Sequence, residues 1–75
     1  MSKADEMFKK LGYKIIINSN TTLNYEKEGH YMDKEIVFEK LDKSITAGYG
    51  TGENCHITME ELQAINQKCK ELGWL

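Results

Sequence analysis

The chain carries one piece of punctuation twice: Leu11-Gly12-Tyr13 and Leu72-Gly73-Trp74. In each, an apolar residue precedes a glycine and an aromatic follows it. Glycine enters the left-handed conformation without steric cost, so a helix ends there and the next side chain folds back onto the last turn. One helix therefore ends near residue 11 and another near residue 72. Between them the sequence alternates as strands do, so any fold must pack two helices against extended chain.

The first helix has Ser2 as N-cap, Asp5 and Glu6 at its positive end and Lys9 and Lys10 at its negative end. Its apolar stripe is Ala4, Met7, Phe8 and Leu11. Strands are expected over Tyr13–Asn18, Thr22–Glu28, Tyr31–Glu39 and Ser44–Tyr49. The turns fall at Ser19-Asn20-Thr21, at Glu28-Gly29-His30 with glycine at positive φ, and around Asp42. Thr58 and Glu61 form a capping box for the last helix, with Ile57 and Leu62 placed as a hydrophobic staple. Leu62, Ile65, Cys69 and Leu72 make the stripe of that helix, with Ala64 beside it. Short turns force neighbouring strands to pair antiparallel. The expected fold class is α+β: an antiparallel meander of three to four strands, with the N- and C-terminal helices packed on one face.

With 75 residues the chain is expected to be one small domain, 1–75, with a thin core and little left for a deep substrate pocket. Its net charge of −2 is built from interleaved acids and bases, and no basic run exceeds Lys9-Lys10. Lys3, Lys9, Lys10 and Lys14 would form a small patch, short of the stripe that a phosphate backbone demands. Nucleic acid is therefore the lesser expectation. The start of the chain lacks a secretory h-region, and no apolar run approaches the roughly 20 residues that cross a bilayer. A reducing cytoplasm with Cys55 and Cys69 as free thiols is the expectation, and the Asn20-Thr21-Thr22 sequon is then idle.

Four motifs invite chemistry. Gly48-Tyr49-Gly50-Thr51-Gly52 lacks the lysine of a phosphate loop, and the helix cap comes only at Thr58, so it reads as a connection. Cys55, His56, Cys69 and His30 supply zinc-type ligands at poor spacing, since adjacent side chains point apart. Cys55-His56 is likewise badly placed as a nucleophile with its base. Asp5-Glu6 and Glu60-Glu61 sit in first helical turns, where dipole and capping account for them. No catalytic residue, cofactor or metal is expected.

The aromatic and β-branched residues point to binding. If Ile15, Ile17, Ile36 and Phe38 face the helices, Ile16 and Val37 fall together on the opposite sheet face. With Tyr31 and Tyr49, whose rings have an apolar body and a polar tip, they form a candidate surface for a protein partner or a second copy in a homodimer. The segments Met7–Tyr13, Ile36–Lys40, Ile57–Asn66 and Lys70–Trp74 together resemble a group of small uncharacterised phage and prophage proteins of Gram-positive bacteria. That resemblance implies a phage origin and a host-cell cytoplasm, and it carries no catalytic residues across.

Overall fold

Both glycines stop their helices as expected. Gly12 and Gly73 have φ of 96° and 78°. At the second, the Gly73 amide donates to the Lys70 carbonyl (3.1 Å) and the Trp74 amide to the Cys69 carbonyl (2.8 Å), the reciprocal pair of a Schellman motif. The computed structural model describes residues 2–29, 32–49 and 56–75. The elements run α1 (Lys3–Lys10), β1 (Tyr13–Asn18), β2 (Thr22–Lys27), β3 (Lys34–Glu39), β4 (Ser44–Tyr49) and α2 (Met59–Glu71). The four strands form one antiparallel meander in the order β1-β2-β3-β4.

Ser2 accepts from the Asp5 amide at the start of α1, and the Thr58–Glu61 capping box starts α2. One face of the sheet then meets both helices. Phe8 of α1 and Ala64, Ile65 and Cys69 of α2 pack with Tyr13, Leu23, Tyr25, Ile36 and Phe38. Phe8 is the hub. Its ring stacks on Tyr25 at 3.9 Å and meets Tyr13 and Phe38 edge-on. Trp74, just past the end of α2, reaches Phe38 and seals one margin. Each fully buried Phe, Leu or Ile contributes about 1.5–3 kcal/mol, so these few residues carry most of a small domain's stability.

Three expectations are corrected. First, β1 contains a bulge: Ile15 pairs with Tyr25 but Ile17 pairs with Asn24, leaving Ile16 without a residue opposite. An inserted residue reverses the facing of everything beyond it. Ile17 thus joins Asn24 on the outer face instead of facing the helices. Ile15 keeps the helix side but lies at the sheet margin, and all three isoleucines are exposed, at 41, 41 and 46%. Second, Glu61 and not Leu62 turns inward on α2. Leu62 stays exposed, as does Ile57, while Glu61 is 3% exposed and its carboxylate accepts from Tyr13, Lys34 and Thr58. Third, Gly29 is not among the positive-φ glycines. Its requirement is close approach: a Cβ there would lie 2.0 Å from the Met32 carbonyl oxygen.

Candidate functional site

The site builds up at β1, a margin strand whose one strand neighbour among the described residues is β2. Gly12 turns the chain from α1 directly into this strand, so the last turn of α1 lies beside it. Between them opens a cleft of about 240 Å³ lined by Asp5 and Lys9 of α1, Tyr13, Lys14 and Ile15 of β1, and Tyr25 of β2. Tyr13, Ile15 and Tyr25 make its walls apolar. Lys9 and Lys14 are both exposed and flank it. Lys14 pairs with Glu28 at 3.6 Å across open solvent, a contact worth little.

Two polar clusters, the first part-buried and the second buried, hold these walls still. The Tyr25 hydroxyl donates to Asp5 Oδ1 at 2.5 Å, and Lys68 Nζ reaches the same oxygen at 3.3 Å. Burial pushes the Asp5 carboxyl up, but Tyr25, Lys68 and Ser2 outweigh it and hold it below its ordinary value. Burial, and then the Asp5 carboxylate, drive the Tyr25 phenol far upward, so it stays protonated and donating. In the second cluster the Tyr13 hydroxyl (2.5 Å), Lys34 Nζ (2.7 Å) and the Thr58 amide (2.9 Å) all donate to Glu61. Burial again opposes the charged form, and Lys34, Tyr13 and Thr58 overcome it, leaving Glu61 below its ordinary value. Every acid here has its partners, which suits a scaffold more than a proton-transfer centre.

The sequence-derived surface divides. Val37 lies on the outer face, in a row that runs Ile17, Asn24, Val37, Thr46 across the sheet. Ile16 sits at the bulge beside that row. Tyr49 is half-buried and pairs with Lys34 on the helix side, away from Val37. Tyr31 lies outside the described residues. So do His30 and Cys55 of the zinc-type set, and Gly50 to Gly52 of the glycine-rich segment. Of the rest, His56 is exposed, and burial raises the Cys69 thiol on the inward face of α2. Among the described residues no three His, Cys, Asp or Glu side chains gather as metal ligands. No described helix is long and apolar enough to cross a membrane.

Sequence reasoning missed the cleft. Its signal was the short separation of Lys9 from Tyr13 and Ile15 through a helix stop, which brings a helix end beside a strand. Comparison with family models, curated proteins and solved structures finds no match to this chain.

Proposed function

We propose that this protein is a small non-enzymatic interaction module, of phage or prophage origin and acting in the host cytoplasm, that binds another protein or a second copy of itself. One observation carries the reading: three consecutive isoleucines stand exposed on β1, the end strand of the sheet among the described residues. A 75-residue domain with a thin core spends scarce apolar residues there, where they add little to its own folding. The phage origin and the cytoplasmic setting rest on the sequence resemblance alone.

The test is an Ile16→Thr, Ile17→Thr, Val37→Thr triple variant, with threonine chosen to keep strand preference. Wild type should capture a host or phage protein from infected cells, or show a dimer mass in solution. The variant should lose that association while its circular dichroism is unchanged. A monomeric wild type whose captured proteins equal those of the variant would sink the reading.

A second reading has one observation behind it. Lys9 and Lys14 converge on the same cleft, which favours a nucleic-acid accessory role. A gel shift across salt concentrations separates the two, since phosphate-driven binding weakens steeply as salt rises.

A further inference from the structure

Resting on the interaction-module reading, we propose that the outer face of the sheet receives an arginine side chain of another protein, its guanidinium held by Glu26, Glu35 and Asn24. Pairing of β2 with β3 sets Glu26 directly opposite Glu35. Their neighbours Tyr25 and Ile36 are buried on the helix side, so both carboxylates share the outer face. Like charges at opposed positions destabilise a sheet. On its other side Glu35 meets Gly48, which has no side chain to offer. Neither carboxylate makes a hydrogen bond or ion pair among the described residues. Lys14 stands opposite Glu26, but its ammonium goes to Glu28 at 3.6 Å. A second, independent observation lies beside this pair. Asn24, two residues before Glu26 on the same face and diagonal to Glu35, is 7% exposed, and its side-chain oxygen is buried without a partner. Of this amide only the oxygen is so enclosed, and a half-turn that exchanges it with the nitrogen brings the acceptor outward.

All three groups are acceptors without a donor, and one kind of side chain answers them together. A guanidinium carries five N–H donors in a planar fork, no acceptor and a permanent positive charge. A lysine ammonium, a compact point charge, satisfies less of this set. Ile17 and Val37 flank Asn24 in its row and supply apolar contact for the aliphatic stem. A second copy of the chain is not the donor, because all ten of its basic residues are lysine. Laid face to face, two copies would also set Glu26, Glu35 and Glu39 against the same three glutamates. A sheet that keeps a buried, unpaired acceptor beside two opposed carboxylates gives up stability there, as binding sites do when the complementary groups come from a partner.

The probe is an acetylated, amidated pentapeptide with arginine between two valines and an alanine at each end, titrated into the isotope-labelled full chain. Saturable shifts are expected at the Glu26 and Glu35 amides and at the Asn24 side-chain amide, with a Kd on the order of 1 mM or tighter. Citrulline in place of arginine keeps the shape without the charge and should abolish them. Lysine in its place should weaken binding several-fold. The double variant Glu26→Gln, Glu35→Gln should bind about tenfold more weakly or worse. Its urea midpoint should be no lower than that of wild type, since a like-charge pair is gone. Asn24→Val should weaken binding about threefold or more while making the protein more stable, a split that a merely structural role would not give. Glu60→Gln, an exposed change on α2, should leave binding unaltered. No shift at about 10 mM peptide would overturn the proposal. Equal binding of the citrulline peptide, or a double variant that binds like wild type, would overturn it as well. So would shifts at this face produced by raising protein concentration alone, which would make a second copy the occupant. If the peptide leaves the face untouched yet the triple variant loses its partner, the arginine site is wrong and the interaction module stands. If the peptide binds as described and the triple variant loses nothing, the module reading falls and the arginine site remains.

Discussion

Asn24 and Glu61 are both buried polar residues, and they have opposite fates. The Glu61 carboxylate caps α2, holds Lys34 and receives the Tyr13 hydroxyl, so one side chain closes three separate needs. Asn24 is 7% exposed in the outer-face row, and its side-chain oxygen is buried with no hydrogen-bond partner among the described residues. An unsatisfied buried acceptor costs about 1–3 kcal/mol, whereas an apolar side chain of similar size restores packing without that cost. Asn24→Val would sit between Ile17 and Val37 with a strand-favouring shape. It should raise stability by about 1 kcal/mol, read as a higher urea midpoint at unchanged slope. A lower midpoint would mean that Asn24 has a structural role its neighbours do not reveal.

The elements depend on their ends. Both helices are short, and alone they would be mostly unfolded in water. What makes them persist is a cap at each end and an inward stripe. Gly73 tests the cap by itself, because a methyl group added there would touch nothing within 4 Å. Only its φ of 78° resists a side chain. Gly73→Ala should therefore cost about 1–2 kcal/mol through backbone strain alone, seen as a drop in thermal midpoint with the Trp74 fluorescence spectrum of the native state preserved. The turn before β4 bears a similar strain without glycine, since Lys43 has φ 57°. At the opposite end of β3, Gly29 is needed because a carbonyl lies where its side chain would be.

At the scale of the whole molecule, carboxylates fasten the layers together. Asp5 joins α1 to Tyr25 of the sheet and to Lys68 of α2. Glu71 of α2 accepts from the Ala4 amide at the start of α1. Glu61 joins α2 to Tyr13 and Lys34 of the sheet. In all three, burial raises the pKa but the hydrogen bonds and cations prevail, leaving the folded value below the ordinary 3.8 of Asp and 4.5 of Glu. The unfolded chain then binds protons first as pH falls. Their contribution is present above those ordinary values and is lost as pH drops through the lower folded ones. Tyr25 has the opposite sign: its folded pKa lies above the ordinary 10.0, so its share holds below that value and is lost as pH rises beyond it. Stability from urea titrations should therefore be level between about pH 6 and 9 and fall toward about pH 3. A curve still level at about pH 3 would show that these ties do not hold the helices to the sheet.

Helix ends, the placing of four strands and the one-faced layering were legible in the residues themselves, although Met32 and Asp33, expected in the third strand, precede β3. Caps, left-handed glycines and alternation act over four or five neighbours, and the chain states such interactions locally. The bulge at Ile16 was not legible, because three isoleucines in a row suit either register and only pairing with Tyr25 and Asn24 chooses between them. Nor was the inward turn of Glu61, whose burial depends on Lys34 and Tyr13 arriving from distant parts of the chain. The cleft at β1 is of the same kind. Its lysines and apolar walls come from three elements, and only close packing of helix on sheet makes them one surface.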